Sequence, residues 1–313
     1  MKIRMGYVGK NHTLDITTSS TVTLSYYNRI GSKKGIEKIK KVGLKNLNSL
    51  KEVLAFNLAN GIHFYRITSN LIPLVDIDSI DLNLDYFKKE LREIGAFIKK
   101  HKMRVDAHPD QFCVLNSTEP HVIENSIRIL KYHAELFDLM DYDGKIVLHV
   151  GSGKNGKKES LNRFKINFQF LDKTIQKKII LENDDRVFSM LNVLKLCEDI
   201  GVPMVLDFHH HRCLKSGSKI EDYLERICAT WSNAGFVPKM HYSSPRDKKN
   251  KRAHHDYIDC HEFMKFIEKL SFVNFDIDIM LEAKQKDEAL FRLSHQLKHY
   301  SYYNFSNDSS FEL

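Results

Sequence analysis

Short apolar runs alternate along this chain with longer segments whose apolar positions recur at helical spacing. The runs are Ile3 to Val8, His63 to Ile67, Met103 to Ala107, Ile146 to Leu148, Ile179 to Leu181, Pro203 to Leu206, Val237 to Met240 and Ile277 to Leu281. Runs such as Ile146-Val147-Leu148 and Ile179-Ile180-Leu181 have the continuous β-branched character of parallel strands buried on both faces. Between them, Phe87, Leu91, Ile94 and Ile98 fall on one helical face, closed by charges through Lys100. Leu47, Leu50, Leu54 and Leu58 mark another helix, which Gly61 caps, and Gly201 caps the one carrying Val193, Leu194 and Cys197.

Eight strand–helix alternations in about 290 residues predict a single α/β domain, a (β/α)8 TIM barrel with its active site at the C-terminal strand ends. A doubly wound open sheet is the competing solution, but it places its ligand at one switch point instead of around a ring. The barrel is assigned to residues 1–297, and the polar, aperiodic stretch 298–313 is read as a loose C-terminal tail.

Chemistry collects at the strand ends. His108, His149, Glu182, Asp207, His210, Lys239, His241, His254 and Glu282 lie in, directly after, or in the segments following six of the eight runs. A lone His at a strand end is more often a structural one, hydrogen bonded to backbone. Imidazoles and carboxylates at six strand ends together would cost several kcal/mol each to bury unpaired, and a cation is the simplest compensation. Their number exceeds the three protein ligands of one catalytic zinc, which predicts two or three ions.

The formal charge of +8, with 48 Lys and Arg, suits a polyanionic partner. Arg246, Lys248, Lys249, Lys251 and Arg252 sharpen this, because they sit between His241 and His254 and bring positive charge beside the metal ligands, as a phosphate substrate requires. A solvated loop that is basic by chance is the bland alternative. Five cysteines without close-spaced pairs predict reduced thiols in place of a disulfide framework or zinc knuckle. No apolar run approaches the roughly 20 residues that span a bilayer, so a soluble, cytoplasmic protein without a membrane partner is expected.

Several strings together identify a family. They are Gly6-Tyr7 with Asn11, Tyr65-Arg66-Ile67, His108-Pro109-Asp110-Gln111-Phe112, Leu181-Glu182-Asn183-Asp184-Asp185, Asp207-Phe208-His209-His210, Lys239-Met240-His241-Tyr242-Ser243-Ser244-Pro245 and Glu282-Ala283-Lys284-Gln285-Lys286-Asp287. With these the chain resembles the UV damage endonucleases, relatives of the endonuclease IV barrels, over residues 1 to 297.

The resemblance implies hydrolysis of double-stranded DNA on the 5′ side of cyclobutane pyrimidine dimers and 6-4 photoproducts, with abasic sites as further substrates. It leaves a 3′-hydroxyl and a 5′-phosphate; a barrel acting on bent duplex DNA has no evident need for a partner subunit, so a monomer is expected. It implies a cluster of three divalent ions, usually manganese. His108 and His149 would hold one ion, and Glu182 would bridge to a second bound by Asp207, His241 and Glu282. His210 and His254 would hold the third. An Asp two residues before the last His belongs to the endonuclease IV pattern, and Arg252 stands here instead. Lys239 matches a lysine that can be carboxylated, which would restore negative charge near the ions; as a plain lysine it would bind a phosphate oxygen. Glu182, Asp207, Glu282 and Lys239 are thereby the catalytic set.

For lesion recognition the resemblance implies Gln111 and Phe112 as probes of the duplex, Phe112 standing where many relatives have Tyr. A core aromatic under a loop is the alternative for Phe112. Tyr7 and Asn11 match positions near the lesion pocket, and Arg246, Lys248, Lys249 and Arg252 add DNA contacts. Arg66 and Ser69 fit either a structural role or a phosphate contact. His254 is preferred over His255 as ligand, and His209, His211 and His261 lie nearby without a motif to place them. Two other classes remain: a metal-dependent sugar isomerase on the same barrel, for which the basic loop and the probe pair are unnecessary, and a non-catalytic DNA-binding barrel, for which the ligand ring is.

Overall fold

The computed structural model describes residues 1–214 and 217–313. Eight parallel strands close into a barrel: β1 Lys2–Val8, β2 Phe64–Ile67, β3 Arg104–Ala107, β4 Ile146–His149, β5 Ile179–Glu182, β6 Met204–Asp207, β7 Lys239–Tyr242 and β8 Ile277–Leu281. Closure comes from β1, whose upper half pairs with β2 (Tyr7 with Tyr65) and whose lower half pairs with β8 (Ile3 with Ile277 through Gly6 with Met280). Each strand coincides with a run expected from the sequence, within a residue or two at either end.

Helices cover the outside because each carries one apolar stripe. The helix Ser32–Ala59 buries Ile39, Leu47, Leu50, Val53 and Leu54, and Lys88–Lys100 buries Leu91, Ile94 and Ile98. Gly201 ends Met190–Ile200 in the left-handed region at φ 69°, where a side chain is disfavoured. No helix among the described residues is long and apolar enough to cross a membrane.

The C-terminal segment departs from the loose tail expected of it. Strands β9 Asn304–Asn307 and β10 Ser310–Glu312 form a hairpin, and β10 runs antiparallel to the lower half of β1, pairing Ile3 with Phe311. It fills the edge that β1 leaves where it diverges from β2. Phe311 is fully buried and stacks on Tyr303, while Ser309 Oγ donates to the carbonyl of Gly61 at 2.7 Å. A stretch this short and polar gives no period to read; its order depends on an edge supplied by residues about 300 positions earlier.

The barrel interior holds a charged layer. The Arg104 guanidinium is buried, donates to Asp106, Asp278 and the Val237 carbonyl, and lies 4.9–5.2 Å from the ring centroids of Phe64, Trp231 and Phe236. Arg4 chelates Asp278 from below with two bonds of 2.7 Å. This ladder forms the floor of the functional site.

Candidate metal centre

The ends of β3 to β8 converge on one carboxylate. Glu182, the last residue of β5 and 1% exposed, has Oε2 at 3.1 Å from His108 Nε2 and 3.7 Å from His149 Nε2. Its Oε1 lies 2.9 Å from His241 Nδ1 and 3.5 Å from His210 Nδ1. Asp207, closing β6, places Oδ2 3.6 Å from His210 Nδ1 and 3.9 Å from His241 Nδ1. Glu282, just past β8, lies 3.3 Å from His241 and 3.8 Å from His254. The structure therefore gathers all eight His and carboxylate residues singled out as ligands into one connected cluster.

Local structure aims these groups. His108 Nδ1 bonds the Pro109 carbonyl at 2.8 Å, which turns Nε2 toward Glu182. The Asp207 side chain caps the short helix Phe208–Cys213 by accepting from His210 N, and His210 Nδ1 bonds the Asn183 carbonyl at 2.9 Å. Asn183 in turn ties the ends of β5 and β6 by a reciprocal pair, its side chain bonding Asp207 N and O. Asn183 was visible only as part of a motif; its bracing role depends on the two strand ends lying side by side.

The donor chemistry fits divalent cations. Two buried carboxylates, Glu182 and Asp207, and the largely buried Glu282 share the site with five imidazoles, and Asp207 Oδ2 and His241 Nε2 are buried without a hydrogen-bond partner. Two triads, His108-His149-Glu182 and Glu182-Asp207-His241, each bring donor atoms within 4.8 Å of one another, sharing Glu182. Burial, followed by the neighbouring Glu182 and Glu282 charges, pushes the Asp207 carboxyl well up against the pull of His210. Burial opposes a charge on His210, but Asp207, Glu182 and Glu282 overcome it and raise the ring to about 9. His241 is driven down to about 4, mainly by burial, and stays a neutral imidazole, the form that binds metal.

Lys239 lies one layer lower. It is fully buried at the start of β7, with Nζ 3.1 Å from Asp106 Oδ2. Burial lowers its ammonium to about 8 despite the Asp106 charge, and Arg104 and Arg66 add to the depression. The sequence reading missed Asp106 and Arg104, although charged residues two apart inside a strand are the signal of an inward-facing polar layer.

Around the ring, the remaining expected residues divide. Phe112 is 65% exposed beside the exposed Gln111, and Asp110 Oδ1 accepts from Phe112 N in the tight turn that presents it. A core role for Phe112 is thereby ruled out. Arg246, Lys248, Lys249 and Arg252 are exposed on a loop pinned at its base by the bridge between Pro245 and His254, and Arg252 pairs with Asp185 at 3.2 Å. His254 faces Glu282, whereas His255 is exposed and bonds its own turn at Tyr257. His209, unplaced by motif, bonds the Arg252 carbonyl and packs edge-on against His254.

Tyr7 and Asn11, expected near the lesion pocket, are packed inside the fold. Both are fully buried; Tyr7 Oη donates to Asn57 at 2.7 Å and accepts from Asn11 Nδ2 at 2.8 Å. Their polar atoms fasten the first loop to the helix Ser32–Ala59. The side chain of a strand residue alternates between barrel interior and helix layer, and a motif does not say which face Tyr7 takes.

With this geometry in place, likeness to known proteins is informative. A sequence model of the family described as UV-endonuclease UvdE matches residues 3–312. The chain belongs to the UV damage endonuclease family. The UV DNA damage endonuclease of Bacillus cereus (strain Q1) is 34% identical over 301 residues, covering 95% of each chain. The crystal structure of SacUVDE superposes with a TM-score of 0.85 at 37% identity, covering 95% of this chain and 98% of that one. Endonuclease IV from Thermus thermophilus, at 14% identity and a TM-score of 0.54 over 95% of this chain and 99% of that one, shares the fold. As a UV damage endonuclease the protein is a metal-dependent DNA repair nuclease, and the sugar isomerase and non-catalytic readings fall away.

Proposed function

We propose that this endonuclease cuts double-stranded DNA immediately 5′ of a UV lesion, leaving a 3′-hydroxyl and a 5′-phosphate, with three divalent ions held on the ring centred on Glu182. Cyclobutane pyrimidine dimers and 6-4 photoproducts are the primary substrates, with abasic sites as further ones. The observation that carries this reading is the convergence of His108, His149, His210 and His241 on the two oxygens of Glu182.

In this reading His108 and His149 serve one ion, Glu182 is shared with a second served by Asp207, His241 and Glu282, and His210 and His254 serve the third. When bound, manganese or a similar divalent ion supplies Lewis-acid stabilisation of the phosphate and lowers the pKa of the attacking water. The chain contributes the rest. Glu182, Asp207 and Glu282 supply the negative charge that retains the ions, and the buried ladder beneath them keeps the donors from collapsing inward. Lys239 joins this layer as a carbamate, or as a plain amine clamped on Asp106; a carbamate would add an anionic group and an ammonium would repel cations.

Phe112 and Gln111 enter the duplex where the damaged dinucleotide leaves the stack, the ring stacking and the amide meeting exposed base edges. The exposed Arg246, Lys248, Lys249 and Arg252 hold flanking phosphates. The protein acts as a monomer in the cytoplasm, where it has access to chromosomal DNA.

The test is incision of a labelled duplex carrying one cyclobutane thymine dimer, with manganese, with chelator, and with Glu182→Gln, read at nucleotide resolution. A single metal-dependent cut 5′ of the dimer is expected from the wild type. Glu182→Gln should lose more than the roughly 10- to 100-fold typical of outer-shell changes, because it removes a shared ligand. Cutting elsewhere, or full activity with chelator, would overturn the proposal.

A further inference from the structure

Arg66 sits in β2, yet its Nη1 donates to Glu282 beyond β8, so the side chain reaches past β1, the strand between them, at the mouth of the barrel. Its side chain is 13% exposed and that of Glu282 is 11% exposed. A guanidinium has five N–H donors in a planar fork, and this is its one side-chain hydrogen bond among the described residues. Glu282 is also shared with His241 and His254. Lys286, half-buried where the helix Lys286–Tyr300 begins, carries a second positive charge at this edge. Burial and the Arg66 charge push the Lys286 ammonium down while Glu282 pulls it up, so the three charges act on one another.

Charge therefore differs across the ring. The side built on Glu182 and Asp207 is anionic, whereas at the β2–β8 edge Arg66 and Lys286 face Glu282, the other nearby carboxylate, buried Asp287, being taken up by His12 N, Thr13 N and Thr13 Oγ1. A cation bound by Glu282 leaves that edge with an excess of positive charge, which an anion would balance. We infer that Arg66 contacts the scissile phosphate directly, its fork engaging a non-bridging oxygen while Glu282 holds its cation, so that the β2–β8 edge fixes the orientation of the strand to be cut. This rests on the endonuclease reading above and adds to it a residue that touches the reacting group.

The experiment measures equilibrium binding in calcium with chelated manganese, using lesion duplexes in which single phosphates near the dimer are replaced one at a time by neutral methylphosphonates. Wild-type protein should lose about 10- to 100-fold in affinity when the phosphate 5′ of the dimer is neutralised. In Arg66→Gln that loss should largely vanish, and the slope of log K against log salt should fall by about one. Arg66→Lys, which keeps charge and loses the fork, should retain an intermediate loss and serves if the Gln variant does not fold. Thermal melting and bound-metal content of each variant establish that the site is intact. If the variants lose affinity equally on normal and neutralised duplexes, Arg66 merely orients Glu282 and the inference fails. If the wild type does not distinguish damaged from undamaged duplex, the endonuclease reading itself fails and takes the inference with it.

Discussion

Lys239 Nζ lies 3.1 Å from Asp106 Oδ2, and neither residue has exposed surface. The pair closes the top of a buried ladder that continues through Arg104 and Asp278 to Arg4. Removing one partner of such a pair leaves an uncompensated charge in the interior. Asp106→Asn should therefore cost about 3–5 kcal/mol in a urea titration, and adding Lys239→Met should recover part of that loss. Wild-type stability in the single variant would mean that the lysine is uncharged there.

Metal binding should be strongly pH-dependent. In the cation-free protein the carboxylates hold a proton on His210 up to about pH 9 against the opposing effect of burial, and a ligand imidazole must be neutral. The bound cation therefore displaces a proton below that pH, and affinity should climb about tenfold per pH unit for each proton released, levelling off above about 9. Calorimetric titration of manganese in buffers of different ionisation enthalpy reads the proton count directly; a pH-independent affinity from about 6.5 to 8.5 would contradict this assignment.

Phe112 is presented to solvent at a cost the fold does not recover by packing, which marks it for a partner. Phe112→Ala should weaken binding to a dimer-containing duplex by about 1–3 kcal/mol and leave the melting temperature unchanged. Equal weakening on undamaged duplex would assign the ring to general DNA contact in place of lesion probing.

Phe311 tests the other end of the molecule. It is fully buried on a hairpin that completes the edge of β1, so Phe311→Ala should cost about 3–5 kcal/mol by thermal or chemical unfolding. Deleting residues 301–313 should cost more, because it also bares the backbone of β1.

How much of this was legible beforehand follows from the range of the interactions. The runs ending at His149, Glu182 and Asp207 read as strands, because a strand buried on both faces is apolar along its own length. The residues that cluster could be named in advance, since a parallel barrel brings successive strand ends to one rim, whatever the intervening helices contain. Gly201 could be read as a cap because its conformation is local.

Tertiary structure decided the rest. Asp106 and Lys239 come from β3 and β7 and meet only through barrel closure; neither strand reveals the other's charge. Tyr7 was named by its motif, but its bond to Asn57 comes only from the packing of β1 against the helix Ser32–Ala59. The C-terminal residues carried no periodicity, and the free edge of β1 made them a strand. Patterns confined to one segment are written in that segment, whereas the partner of a buried charge or an open edge is chosen by which surfaces the folded chain brings within a few ångströms.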